Sequence, residues 1–241
     1  VTITRASEIP WGPMGLQLTI IGIVASLVGA LLLVMHQSKD RVRAVVAAKD
    51  REAIDCDPLT KMSTRRSFET QQKAAAKRAD AEKTPMALLF IDLDGFKAVN
   101  DSYGHADGDR LLIEMASRLG RVARDGDILA RVGADEMLLL MSEDVSSEAV
   151  KAMVNKIIQK LSAPYRLQQR EITLTCSVGV ARYPKHGPVE NLIARADAAA
   201  QVAKRDGGGR FVNYDKTMET GARERLALTS DLRAALERGE F

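Results

Sequence analysis

The stretch RVGADEMLLL, residues 131–140, sets two acids at the tip of an apolar hairpin. Apolar runs on either side of a short polar break read as two strands joined by a tight turn. Asp135 and Glu136 stand side by side in that turn. Ala134 precedes them, at a place where a turn more readily takes glycine. Upstream, MALLFIDLD at 86–94 is a short apolar run ending in acids, which reads as a buried strand with a site at its end. Leu111, Leu112, Met115 and Leu119 give residues 106–122 a helical period. The spacing further predicts helices over about 60–81, 145–161 and 189–205. Strands are expected at 127–132, 136–141, 171–181 and 211–214. From residue 86 the order is strand, helix, two strands, helix, strand, helix. That order predicts an antiparallel or mixed sheet with packed helices, an α+β domain.

The bulk numbers agree with one folded domain and some additions. The chain has 241 residues, 46% hydrophobic and 28% charged. A net charge of +3 gives no global argument for nucleic acid. Cys56 and Cys176 match no metal spacing and no disulfide framework, so a reducing compartment is the simplest setting. The chain starts at Val1 rather than methionine, which reads as a fragment or a processed product.

Residues 14–35 contain no charge, and 22 residues of helix span roughly 33 Å, the thickness of a hydrocarbon core. This predicts one transmembrane helix behind a short extracytoplasmic segment at 1–13. Lys39, Arg41, Arg43, Lys49 and Arg51 follow it, which places the bulk of the chain on the cytoplasmic side. Gly22, Ser26 and Ala30 recur every fourth residue, a candidate dimer contact. Residues 36–56 read as a helical stalk ended by Pro58. The expectation is a single-pass membrane protein with the bulk of its chain in the cytoplasm.

The chemistry gathers in FIDLDGFKAVNDSYGHADGD, residues 90–109. Asp92 and Asp94 share a side of one strand, because side chains repeat every two residues. Asp135 adds a third carboxylate if the hairpin is the neighbouring strand. Buried carboxylates need a partner, and a hard cation completed by substrate phosphates is a natural one. This is the logic of metal-assisted phosphoryl and nucleotidyl transfer.

DPLTKMSTRR, the 90–109 block, RVGADEM, TCSVGVA and AKRDGGGR, in this order, resemble the GGDEF family of diguanylate cyclases over roughly residues 57–214. The resemblance implies a palm-like core related to nucleotidyl cyclases. It implies a homodimer that joins two GTP molecules into cyclic di-GMP and pyrophosphate. Asp92, Asp135 and the Leu93 carbonyl then correspond to ligands of Mg²⁺, with Mn²⁺ as an alternative. Glu136 corresponds to a catalytic acid near the attacking hydroxyl, beside Asp135. Asn100 and Asp109 correspond to the guanine-binding pair, and Lys97 and Lys204 to triphosphate contacts. Arg124 and Asp127 match the family's RxxD site for inhibitory product.

Several residues depart from the family pattern. The signature is Gly133-Ala134-Asp135-Glu136-Met137, with alanine at its second position and methionine at its last. If that second position requires a left-handed backbone, alanine costs about 1–2 kcal/mol. Gly208 stands where an arginine touching phosphate is expected, and Lys61 and Thr64 stand for Gly and Asn. Residues 215–241 resemble the linker to an EAL phosphodiesterase domain. Two readings follow: a membrane-anchored cyclase, or a module that binds GTP or cyclic di-GMP and regulates a following EAL domain.

Overall fold

The computed structural model describes residues 55–167 and 170–218, together with Arg238. The elements in chain order are β1 (Ser63–Thr64), α1 (Arg65–Glu82), β2 (Met86–Leu93), α2 (Phe96–Tyr103), α3 (His105–Val122), β3 (Ile128–Arg131) and β4 (Glu136–Met141). They continue as α4 (Ser147–Leu161), β5 (Tyr165–Leu167), β6 (Arg170–Ile172), β7 (Cys176–Tyr183), a 3₁₀ turn (Val189–Asn191), α5 (Leu192–Arg205) and β8 (Phe211–Asn213). Six strands form one sheet in the order β1-β3-β4-β2-β7-β8. The pairings of β2 with β4 and β7, and of β3 with β4, are antiparallel. The two edge pairings, β1 with β3 and β7 with β8, are parallel. The sheet is therefore mixed, as an α+β palm requires.

β2 is apolar from Met86 to Ile91 because both sheet faces are covered. Ala87, Leu89, Ile91 and Leu93 pack into a core shared with residues of α2, α3 and α4. Met86, Leu88 and Phe90 point the other way, into a core shared with residues of α1 and α5. Alternation along one strand thus feeds two cores. On the second face α5 lies directly on β7. A Cβ at Gly179 would overlap the Ala196 carbonyl, so only glycine lets the helix come this close. Ala196, Ala199, Ala200 and Ala203 complete that short-side-chain face.

Three expectations shift in position. The helix expected from about residue 60 begins at Arg65, because Asp57 accepts hydrogen bonds from Thr60 N (2.8 Å) and Oγ1 (2.7 Å) and holds 57–60 as a turn. Thr64 then caps α1, accepting from Ser67 N at 3.4 Å. The strand expected over 171–181 is split: β6 pairs with β5, and β7 alone joins the main sheet. A helix within 90–109, α2, lay below sequence detection. It is eight residues long and bounded by Gly95 and Gly104, both at left-handed φ.

The single-pass membrane assignment is corrected. Among the described residues no helix is long and apolar enough to cross a membrane. The 1–13 segment, the 14–35 segment on which that assignment rested, residues 36–54 of the stalk expected at 36–56 and most of the tail expected at 215–241 lie outside the described residues.

Candidate active site

The site forms where β2 ends, the β3–β4 hairpin turns and α5 terminates. Asp92 pairs across the sheet with Glu136 on one side and with Ser177 on the other. Leu93 N donates to the Asp135 carbonyl at 3.4 Å, so the hairpin turn sits against the end of β2. Asp92, Leu93, Asp135 and Glu136 are thereby brought to one end of the central strands. The Ala-faced packing of α5 delivers Lys204, whose Nζ is 2.6 Å from Asp92 Oδ1. Burial raises the Asp92 carboxyl to about 6; Lys204 pulls it down, while Asp135 and Glu136 push it up. Glu136 is likewise raised, first by burial, then by the charges of Asp197 and Asp135.

Among the described residues no three His, Cys, Asp or Glu side chains converge into a metal cluster of their own. The donors nevertheless suit a hard cation. Two carboxylates and a main-chain carbonyl share one corner, and Mg²⁺ commonly takes one or two carboxylates, with water and phosphate supplying the rest. Burial is the first cause that raises the Asp92 and Glu136 carboxyls, and a bound cation would favour their charged forms.

The hairpin itself is tethered. The Arg131 guanidinium reaches Asp57 at 3.2 and 3.3 Å and donates to the Ala134 carbonyl at 2.8 Å. One side chain thus joins the DPLT turn to the signature turn. Burial raises the Asp57 carboxyl, but hydrogen bonds from Thr60 and Arg131 outweigh it and leave the group below its ordinary value. Sequence reasoning missed Arg131; its position two residues before Gly133 is a signal legible only once Asp57 is known to be near. A Cβ at Gly133 would crowd the Glu136 carboxylate, so a larger residue there would displace that side chain. Ala134 is exposed, and it is absent from the residues with left-handed φ, which among described non-glycines are Lys61, Lys83 and Asp144.

Asp94, expected beside Asp92 as an oxygen ligand, is already engaged. Its carboxylate accepts from Thr175 Oγ1 (2.7 Å), Ser177 Oγ (2.7 Å) and Gly209 N (2.9 Å). It locks the end of β2 to β7 and to the 207–209 loop. Gly207, Gly208 and Gly209 all have left-handed φ, and a Cβ at Gly208 would stand 2.7 Å from Asp94 Oδ2.

The other candidates lie on α2 and α3. Lys97 is exposed on α2. Asn100 lies five residues past Gly95, roughly 7–8 Å along the helix. Its Oδ1 is buried and has no hydrogen-bond partner in the protein. A Cβ at Gly108 would fill the space Oδ1 occupies. Asp109 follows Gly108 on α3 and is exposed. Asn100 Oδ1 is thus packed against Gly108, one residue before Asp109. Arg124 and Asp127 close a turn: Arg124 N donates to Asp127 Oδ2 at 2.9 Å, and Asp127 N to the Arg124 carbonyl at 3.1 Å. The Arg124 guanidinium points to Asp144, 3.7 Å away.

The family model for the diguanylate cyclase GGDEF domain matches residues 54–210. The bifunctional diguanylate cyclase/cyclic di-GMP phosphodiesterase MucR of Pseudomonas aeruginosa is 36% identical over 229 residues, covering 93% of this chain and 33% of its own length. The cyclic di-GMP phosphodiesterase PdeR of Escherichia coli is 36% identical over 186 residues, covering 77% of this chain and 28% of its own. The chain thus spans about a third or less of these relatives. Among solved structures, the coiled coil and GGDEF domain of DgcB from Caulobacter crescentus, in complex with c-di-GMP, superposes with a TM-score of 0.70 at 26% identity. That match covers 77% of this chain and 98% of DgcB's. The chain belongs to the GGDEF family of diguanylate cyclase domains.

Proposed function

We propose that this domain condenses two GTP molecules into cyclic di-GMP and two pyrophosphates, each nucleotide held by one copy of a homodimer. The observation that carries the reading is the convergence of Asp92, Asp135 and Glu136 with Lys204 at the end of the central strands. Asp92, Asp135 and the Leu93 carbonyl would hold Mg²⁺, which when bound would neutralise phosphate charge and lower the pKa of the attacking hydroxyl. In each half-reaction the 3′-oxygen of one GTP bonds to the α-phosphorus of the other. The bond from that phosphorus to the β-phosphate oxygen breaks, and pyrophosphate leaves. Glu136 stands beside the attacking hydroxyl. Its raised carboxyl brings it nearer the working pH of a proton acceptor. Lys204 and Lys97 offset triphosphate charge. Asn100 Oδ1 accepts from a guanine N–H, and Asp109 accepts from the N1–H and amino edge that adenine lacks. Arg124 and Asp127 take product, the planar guanidinium gripping phosphate.

A second reading is favoured by Gly208, which leaves the triphosphate end of the site without the family's arginine. In it, the domain binds nucleotide without turnover and regulates a phosphodiesterase domain in a longer parent protein. One experiment decides between them. The 241-residue chain is incubated with GTP and Mg²⁺, product is followed by chromatography, and nucleotide binding is measured on the same sample. Cyclic di-GMP formed by the chain, and lost in Asp135→Ala, supports the cyclase. Binding without product selects the second reading.

A further inference from the structure

A cavity with basic walls lies at the far end of the sheet. Arg182 pairs with Ala87 at the start of β2, whereas Ser177 pairs with Asp92 at its end. Five residues of strand separate them, about 17 Å. There, a cavity of about 310 Å³ opens between the first turn of α4, the end of β7 and the segment after β8. Its walls carry Lys151, Arg182, Lys185 and His186, with Ser147 beside them, and no lining residue is acidic. Tyr214, 5% exposed, forms a buried part of its wall.

The basic groups are arranged rather than merely crowded. Arg182 Nη1 donates to Ser147 Oγ at 3.2 Å, which fixes the guanidinium along the cavity. Arg182 N donates to His186 Nδ1 at 3.0 Å. The neutral imidazole therefore carries its proton on Nε2 and is a donor. Arg195 donates to the His186 carbonyl and lies over the Tyr214 ring, 5.6 Å from its centre. Lys151 and Lys185 are exposed and form no ion pair among the described residues. An adjoining cavity of about 570 Å³ shares Lys185, His186 and Tyr214 and adds Lys216. The acid there, Asp215, is turned onto Thr217 N and Oγ1 at 3.0 and 2.7 Å. Burial lowers the proton affinity of His186, and Lys185, Arg182 and Arg195 lower it further, which registers the positive field at this spot.

The geometry points to a binding site for a compact polyphosphate, pyrophosphate or the triphosphate chain of a nucleotide, held by Lys151, Arg182, Lys185 and His186. Three permanent cations around so small a space call for several negative charges on one small ligand, which a lone carboxylate does not provide. The site shares no residue with the active site, so it stands or falls apart from the cyclase reading.

The test is calorimetric titration of the 241-residue chain with inorganic pyrophosphate in Mg²⁺-free buffer. The His186 imidazole resonances are followed by NMR. Wild-type chain is expected to bind, with the His186 signals moving and their titration shifting to higher pH. Lys151→Gln/Lys185→Gln should weaken binding at least tenfold, while Lys204→Ala leaves it in place. Competition by GTP would assign the triphosphate chain as ligand; its failure to compete would assign free pyrophosphate. The proposal is overturned if pyrophosphate binds no tighter than sulfate, if the double variant binds as well as wild type, or if Lys204→Ala alone removes binding. An unchanged melting curve for the double variant ensures that the loss is one of binding.

Discussion

The hairpin turn at Ala134 and the glycine loop at Gly208 each carry a residue that the GGDEF pattern does not expect, and the two loops treat it in opposite ways. Ala134 is exposed, has no left-handed backbone, and is held only through its carbonyl by Arg131. Gly208 sits at φ +70 with Asp94 beside the place a side chain would start. That carboxylate is the acceptor that fastens β7 and the loop together. Alanine occupies the first loop without a left-handed φ, whereas the second loop turns on a left-handed glycine, so an arginine placed there would be strained. A departure from a motif is therefore weighed by its φ and its neighbours, not by the motif alone.

The largest effect that bears on this contrast concerns Asp135, the acid that follows Ala134 in the first loop. Asp135→Ala should lower cyclic di-GMP formation on the order of 100- to 1,000-fold, since charge stabilisation in a transition state is worth that much. The chromatographic assay reads it, and a variant that keeps full turnover would remove Asp135 from the chemistry. Next comes Gly208→Arg. The left-handed backbone costs about 1–2 kcal/mol, and displacing Asp94 weakens hydrogen bonds worth about 1 kcal/mol each. Urea denaturation should show the variant less stable by about 2–3 kcal/mol, and its turnover should fall. A variant that is equally stable and more active would break the comparison.

A smaller effect is expected at Lys61, where the family has glycine and this chain keeps φ at +61. Lys61→Gly relieves left-handed strain but loosens the unfolded chain, leaving a net gain of up to about 1 kcal/mol. Thermal melting checks it, and a fall in stability would show that Lys61 makes contacts worth more than its strain. The pH profile offers a finer probe far from both loops. Burial and three neighbouring cations hold His186 below its ordinary value of 6.5. The unfolded chain takes up that proton first, so this contribution to stability is present above about pH 6.5 and fades as pH falls through it. His186→Gln should flatten that part of the profile; an unaltered slope would assign it to other groups.

Much of this architecture was legible beforehand. β2 announced itself as an unbroken apolar run, and the hairpin as apolar runs around an acidic turn. Leu111, Leu112, Met115 and Leu119 marked α3 by their period. What escaped detection was set by tertiary contact. α2 is too short for a period to emerge between its two glycines. The break before β7 depends on β6 pairing with β5 rather than joining the main sheet. Asp94 looked equivalent to Asp92, because two-residue spacing states only which side a carboxylate faces. Whether it meets Thr175, Ser177 and Gly209 is fixed by residues more than 80 positions away. Arg131 went unnoticed for the same reason, since its partner Asp57 is 74 residues off.

The central claim is that Ala134 is harmless where Gly208 is structural. The direct measurement is turnover of Ala134→Gly beside wild type, with GTP and Mg²⁺ at saturation. Glycine would add chain entropy worth no more than about 1 kcal/mol, so turnover should stay within roughly fivefold. A rise on the order of 100-fold, the scale set by a misplaced reacting group, would show that the alanine methyl obstructs the nucleotide and would contradict the account.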